Sequence, residues 1–274
     1  VLQAAVDYVA ALGGGTVEIG EGEFLMRDSL HLRPRVTVRG QGAKTVLRKA
    51  PGAVSPLALD GDYGEEQVTL ERPEGFAVGD GIAVWDRGAG GFHTTVARIT
   101  GRNGNTFSIS RPLNADCMAG NGGQAATVFP VISGYEAEGA RLEGLTLEGG
   151  RDGNIHLNGC RGGGVFLYRS HGAVIVRCTV RNYHGDGISF QQSNDVEVTE
   201  CLAENNASLG FHPGSGSQRP RVTKNVARGN GEDGLFLCWR VKEGCSRATG
   251  WRATGVSGFR SGTRTPTTCC AATR

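Results

Sequence analysis

Four consecutive stretches decide the fold: GVFLYRSHGAVIVRCTVRNYHGD (164–186), GISFQQSNDVEVTECLAENNASL (187–209), GFHPGSGSQRPRVTKNVARGNGED (210–233) and GLFLCWRVKEG (234–244). Their leading glycines, Gly164, Gly187, Gly210 and Gly234, are spaced 23, 23 and 24 residues apart. Other positions fall into columns with them: Ile175, Val198 and Val222; Cys178, Cys201 and Asn225; Asn182, Asn205 and Gly229. An earlier copy, ARLEGLTLEGG (140–150), matches AVIVRCTVRNY (173–183), and its spacing of 33 implies about ten extra residues near Arg151 to Cys160. A period of 20–25 residues with several short strands in each signals a solenoid. Leucine-rich repeats compete for that period, but their leucine consensus is absent. A parallel β-helix fits: each coil lays its strands under those of the next, about 4.8 Å away. Alternate Val, Ile and Leu point inward, and Gly or Asn takes the turns that need positive φ. No coil buries its apolar face alone, so stacking builds the core.

Outward from this repeat, the order of the chain follows. Leu2, Ala5, Val6, Val9 and Leu12 recur at helical spacing until Gly13-Gly14-Gly15 stops them, so residues 1–12 read as a short helix that caps the open first coil. Short alternating strands continue to about Leu59, and residues 1–66 form the cap and the first coils. Longer strands, with a hairpin-like turn at Gly101–Asn105, set residues 67–130 apart as a small antiparallel β insertion. Coils of about 23 residues resume over 131–243. The fold class is all-β.

Composition agrees. Gly supplies 45 of 274 residues, hydrophobic residues 38%, against an ordinary glycine share of about 7%. The apolar residues are spread along the chain, which permits a core and argues against wholesale disorder. No apolar run approaches the roughly 18–20 residues of a membrane span. The chain opens at Val1 in mid-pattern, as a fragment or a processed form would.

Residues 244–274 are anomalous. They carry five arginines, no acid, and no Leu, Ile or Asn, and no strand period survives in them. A back-translation with permitted codons restores a string in register with the coil below, which points to a shifted reading frame near Glu243–Gly244 and a non-native tail. Without these residues the body carries 24 basic and 27 acidic residues, a net charge of −3. A weakly acidic body offers no electrostatic reason to expect nucleic acid as a partner.

Five cysteines lie in the body, and no pair has zinc-ligand spacing, so no metal site is assigned. Cys178 and Cys201 read as a ladder of small apolar thiols. Asp60, Asp62, Glu65 and Glu66 give a weak signal for calcium, and no other cofactor is indicated.

The opening LQAAVDYVAALGGGTVEIGEGEF, with VTVRGQGAKTVLRK after it, resembles the start of pectate-lyase-superfamily proteins. The coils with GDGISF, NDVEVTEC and NGEDGLFL resemble the right-handed parallel β-helix repeats of that group. The resemblance covers about 1–60 and 131–243. It implies a right-handed single-stranded β-helix, a groove along one sheet for a polysaccharide, and a secreted or cell-surface location. Residues 210–237 are similar to the active-site coils of mannuronan C5-epimerases. Where that family carries Tyr, Asp, His and Asp, however, this chain has Leu209, His212, Gly214 and Cys238. The paired aspartates of polygalacturonases are also missing: His184-Gly185-Asp186-Gly187 offers one Asp.

The repeat itself nominates a face. Residues two and four after each leading glycine point outward: Phe166 and Tyr168, Ser189 and Gln191, His212 and Gly214, Phe236 and Cys238. The preceding turns add His184 and Asp186, then Glu232 and Asp233. Rings that stack on sugars and polar groups that fix hydroxyls have this composition. Tyr168, Gln191, Phe236, Arg240, Lys242 and Arg151 are the candidate substrate-binding residues, and His212, Asp233, Asp186 and His184 the candidate catalytic ones. A lyase or epimerase acting on a uronic-acid polymer needs a base, for which His212 is the candidate, and cations to neutralise the uronate. Two alternatives remain: a glycoside hydrolase using Asp186 and Asp233, whose turns lie about 9.6 Å apart by stacking, and a non-catalytic glycan-binding or tailspike-like structural β-helix.

Overall fold

A computed structural model describes residues 1–248, 250–252, 259–261 and 269–272. The chain winds through three parallel sheets of eight, seven and seven strands, visiting them in the same order in every coil. The first coil runs Gly15–Glu18, Gly22–Met26 and Leu30–His31. The central coil runs Val174–Val176, Thr179–Arg181 and Asp186–Gln191. The columns expected from the repeat are the observed register: Ile175 pairs with Val198 and Val198 with Val222. Ile188 pairs with Phe211, which pairs with Leu235. Val38, Leu142, Ile175, Val198 and Val222 from the first sheet meet Leu47, Leu147 and Val180 from the second and Ile132, Val165, Ile188 and Phe211 from the third in one buried core.

Each corner turns through a residue in the left-handed region, and each places a polar ladder inside. Asn182 (φ 51°), Asn205 (54°) and Gly229 (65°) occupy one such column, positions where a short polar side chain or glycine suits the conformation. At the next positions, the Asn206 side-chain oxygen accepts from the backbone N–H of Tyr183 at 3.0 Å, and the Asn230 oxygen accepts from Asn206 N–H at 3.1 Å. At a second corner Cys201 N–H donates to Asn225 Oδ1 at 2.8 Å. At the third, Ser170 N–H donates to Ser193 Oγ at 3.0 Å and Ser193 N–H to Ser217 Oγ at 3.1 Å. These groups satisfy buried donors that the bending backbone leaves outside the sheets. Cys178 and Cys201 are free and buried, stacked where the columns put them.

The helix Leu2–Ala11 covers the first coil and buries Val6. Its Gln3 side chain accepts from the backbone N–H of His31 at 2.7 Å and donates to its C=O at 3.1 Å. A single amide thus stands in for the strand that an open sheet edge would otherwise recruit.

Within the second coil, between Thr45–Lys49 of the second sheet and Ile132–Tyr135 of the third, the chain leaves to build a six-stranded antiparallel sheet. Its order is Val54–Pro56, Gln124–Ala126, Gly81–Trp85, Thr95–Asn103, Thr106–Ile109 and Gln67–Thr69. Val54–Pro56 therefore joins the insertion from the N-terminal side of the boundary expected at 67, because its backbone pairs with the returning strand. The sheet has its own core around Leu70, Phe76, Ile82, Ile99 and Phe107. The root is clasped by Lys49, whose ammonium donates to Ala50 O, Thr127 O and Asn154 Oδ1 at 2.7, 2.8 and 2.9 Å.

The coil spacing continues beyond Gly244: Cys245–Ala248 pairs on Arg221–Thr223 and, 24 residues later, Cys269–Ala272 pairs on Cys245–Ala248. Backbone pairing to the preceding coil defines these strands, although the side chains show no period. The rest of the tail expected to be non-native lies outside the described residues. No helix among the described residues is long and apolar enough to cross a membrane.

Replacing Asn206 by Leu leaves the Tyr183 N–H buried and unpaired. We expect a loss of about 1–3 kcal/mol, read as a lower urea midpoint. Gln3→Leu, at a partly solvated edge, is expected to cost less than Asn206→Leu in the same measurement.

Candidate functional site

The outer face of the third sheet carries two rows of side chains across the coils. One row is His31, Ser133, Phe166, Ser189 and His212, set by the pairs His31–Ser133, Ser133–Phe166, Phe166–Ser189 and Ser189–His212. The other starts Tyr135, Tyr168 and Gln191. Alternation along each strand sends the intervening Val165, Leu167, Ile188 and Phe190 inward.

At the far end of the first row, His212 Nδ1 lies 2.7 Å from Asp186 Oδ2, with both residues buried. An ionised carboxylate only accepts, so Nδ1 carries the proton and the lone pair of the neutral ring is on Nε2. Nε2 is buried and makes no hydrogen bond. Burial opposes charge on the ring, but Asp186 and the nearby Cys238 thiol outweigh it and raise the imidazole to about 9. Burial alone would raise the Cys238 thiol; His212 and Ser215 outweigh that and hold it below its usual value. Ser189 Oγ sits 3.4 Å from the same Nδ1 and donates to Gly159 O at 2.6 Å. Gln191 is fully buried, and its oxygen accepts from Ser215 N–H at 2.8 Å. A Cβ at Gly214 would fall about 2.0 Å from the Gln191 amide, so glycine there makes room for that side chain. Phe236 packs on the imidazole, 5.5 Å between centroids.

The residues the repeat inserts after Gly150 cross over this end. Gly159 lies against Asp186: a Cβ there would come within 1.7 Å of Oδ2. From the same segment Arg161 donates to Phe92 O of the insertion at 2.8 Å.

The middle of the face is aromatic and cationic. Tyr135 and Tyr168 lie 5.8 Å apart, and Tyr135 and Phe166 5.9 Å. The Arg111 guanidinium sits 3.6 Å over the Tyr135 ring. Arg161 and Arg169 lie 5.5 and 5.2 Å from the centre of Tyr168. Arg111 comes from the insertion and Arg161 from the segment after Gly150, so three separate parts of the chain close on one wall.

The structure thus brings Asp186, His212, Gln191 and Phe236 together, with Tyr168 on the same face. It places the other candidates elsewhere. His184 is buried against the Tyr183 ring at 4.1 Å. Desolvation, with Lys49 and His156 nearby, holds it well below the usual histidine value, so it is neutral. Asp233 is fully buried in its turn. Arg151 is exposed in a different groove, beside Asn182 and Glu148, and donates to Asn205 O at 3.3 Å. Arg240 and Lys242 are exposed on the turn leaving the third sheet. Among the acidic residues considered for calcium, Asp60 accepts from Ala119 N–H and Glu65 from Asp62 N–H. No cluster of three or more metal-ligating side chains occurs among the described residues.

Sequence reading missed Tyr135, Arg111, Arg161 and the pair His31–Ser133. Tyr135 was within reach, because ISGY (132–135) aligns with VFLY (165–168) at the spacing of 33 already found. The arginines arrive by tertiary packing and leave no local signal.

Comparison with known proteins agrees with this geometry. Residues 117–243 match the family described as the right handed beta helix region. This chain is a right-handed parallel β-helix. The β-helix is similar to the A-module of Azotobacter vinelandii mannuronan C-5 epimerase AlgE6, 17% identical over 94% of this chain and 53% of that one, with a TM-score of 0.58. It is also similar to the AlgE4 A-module of the same organism, 16% identical over 94% of this chain and 53% of that one, TM-score 0.51. A third similar structure is the catalytic domain of a GH87 α-1,3-glucanase, 11% identical over 90% of this chain and 34% of that one, TM-score 0.51. The β-helix spans about half the length of the epimerase modules. No curated protein sequence matches it. At these identities the likeness is one of fold, and the reaction has to be argued from the site.

The pairing with Asp186 favours the imidazolium in the folded state. Its contribution to stability is therefore complete below about pH 6.5 and fades as pH rises through 9. In an NMR titration of the folded protein, the His212 ring protons are expected to move with a midpoint near 9. Asp186→Asn should lower that midpoint by more than one unit; an unchanged midpoint would show that Asp186 does not hold the proton.

Proposed function

We propose that this protein acts on an acidic polysaccharide laid across the outer face of the third sheet, removing the proton beside a uronate carboxylate as a lyase or epimerase does. The observation that carries this reading is the wall of Tyr135 and Tyr168 flanked by Arg111, Arg161 and Arg169. Aromatic rings accept the apolar faces of sugars, and guanidinium groups pair with planar carboxylates in two-pronged fashion. Arg169 also pairs with Glu136 at 3.8 Å, so Arg111 and Arg161 are the cations a uronate would engage. The named fold neighbours include an epimerase of mannuronan and an α-1,3-glucanase, which is consistent with a glycan ligand.

In this reading His212 is the base and Asp186 orients it. Nε2, the nitrogen left with the lone pair, takes the substrate proton, and Phe236 is the side chain a sugar would displace to reach it. Arginine on the wall neutralises the enolate-like charge that forms as the C–H bond breaks. The raised pKa means that the base form accumulates only above about pH 9. Hydrolysis by Asp186 and Asp233 gains no support: both carboxyls are buried and Asp186 is committed to His212.

The test is incubation with uronic-acid polymers and with neutral glucans, following absorbance of unsaturated sugars, inversion at C5 by NMR, and new reducing ends. Activity on a uronan is expected to rise tenfold per pH unit to a plateau above about pH 9, and to fall at least 100-fold in His212→Gln. Arg161→Ala should weaken uronan binding several-fold, and more so at low salt. New reducing ends without unsaturation would replace this reading by hydrolysis. Binding with no product on any polymer would leave a glycan-binding β-helix without catalysis.

A further inference from the structure

In successive coils the chain leaves the third sheet through a residue in the left-handed region: Glu136 (φ 53°), Arg169 (51°), Gln192 (48°), Gly216 (79°) and Arg240 (61°). The residues just before them, Tyr135, Tyr168, Gln191, Ser215 and Trp239, form a column along the axis. Backbone bonds fix its alignment coil by coil. Glu136 N–H donates to Tyr168 O at 2.8 Å, Arg169 N–H to Gln191 O at 3.2 Å, Gln192 N–H to Ser215 O at 3.1 Å and Gly216 N–H to Trp239 O at 3.0 Å. Gly214 is the extra residue that the fourth coil carries before this corner, so the column passes from Gln191 to Ser215. Trp239 therefore stands in line with the two tyrosines of the wall.

A lone exposed ring needs no explanation on a protein surface; the placement of this one does. Gln191 and Ser215 are buried, whereas Trp239 is 67% exposed. Its backbone is held on both sides: Cys238 N–H donates to Pro213 O at 3.0 Å, and Gln218 Nε2 donates to Arg240 O at 2.7 Å. Arg240 and Lys242, both exposed cations, follow it in the chain, and Lys242 is bridged to Gln218. A platform fixed in this way loses little freedom when a ligand settles on it. His212 stands one coil from Trp239 and two coils from Tyr168. Stacking at about 4.8 Å per coil sets Tyr168 and Trp239 about 14 Å apart along the axis.

We infer that Trp239, with Arg240 and Lys242, is a second aromatic subsite for the acidic polysaccharide, on the far side of His212 from Tyr168. The inference rests on the uronan reading of the wall and adds to it a direction and a length. The polymer runs along the axis of the β-helix, crossing the coils. The Trp239 ring takes the apolar face of one sugar, and the cations beside it pair with carboxylates of that sugar and its neighbour. A ligand that engages both rings spans several sugars, so the site selects long chains. A disaccharide held at Tyr168 stops short of Trp239.

Binding of di- and hexasaccharides of mannuronate and of galacturonate should be measured by calorimetry for the wild type, Trp239→Ala, Trp239→Phe and Tyr168→Ala. We expect Trp239→Ala to weaken hexasaccharide binding about tenfold and disaccharide binding far less, with Trp239→Phe recovering most of the loss. The hexasaccharide should also change a component of tryptophan fluorescence that Trp239→Ala removes. Because the ring is exposed, the urea midpoint of Trp239→Ala should match that of the wild type. Hexasaccharide affinity that falls in Tyr168→Ala but not in Trp239→Ala would overturn this subsite and leave the wall standing. Equal losses for both lengths in Trp239→Ala would overturn the selection of long chains. A wild type that binds no oligomer of either series would overturn the wall reading and this subsite with it. A wild-type dimer that Trp239→Ala makes monomeric, at unchanged hexasaccharide affinity, would assign the ring to self-association instead.

Discussion

Coil-to-coil backbone pairing in fixed register is the constraint on which everything else in this protein depends. Parallel strands about 4.8 Å apart put residues 23 or 24 apart in the chain side by side. A slip by one residue would send every inward side chain to the surface. The three corner ladders oppose such a slip. Asn206, Asn225 and Ser193 each accept from a backbone N–H of the adjoining coil, that of Tyr183, Cys201 and Ser170, so a slip would strand a buried donor at every corner. The apolar interior supplies most of the driving force, and the polar corners select one arrangement of it.

The same register explains how much was readable beforehand. Columns such as Ile175, Val198 and Val222 are periodic, and periodic features survive in a single sequence. Hence the register of the coils from Gly164 onward, the outward row through His212 and the cap helix could be read from the text. What could not be placed is aperiodic. Arg111 reaches Tyr135 because an insertion folds back onto the third sheet, and Arg161 reaches Tyr168 because the segment after Gly150 crosses the corner. The burial of His184 and Asp233 was equally hidden, since being in equivalent turns says nothing about which neighbour covers them. His31 had no visible partner because its strand is only two residues long and Ser133 follows it by about one hundred positions.

The face of the third sheet shows how a regular scaffold acquires uneven chemistry. Backbone geometry along the rows repeats, yet His31 and His212 differ sharply in surroundings. His212 is sealed beneath Phe236 and the chain around Gly159, which strengthens its tie to Asp186. His31 remains partly solvated, with its Asp28 partner in the same short stretch of chain. Between them the tyrosines and arginines form a charged, aromatic surface. The coils determine where side chains stand; the insertion and the crossing segment determine how wet, how charged and how accessible each one is.

Lys49 has a broader implication. Its ammonium gathers the point where the insertion departs, the point where it returns and the crossing segment into one knot, while Val46 still pairs directly with Thr146 across the gap. The scaffold is therefore continuous beneath the excursion, and side-chain pairs such as Arg27–Asp80 tie the two together. Evolution, or a protein engineer, can exchange what is attached at that knot and re-tailor ligand preference while leaving the spine of the molecule as it is.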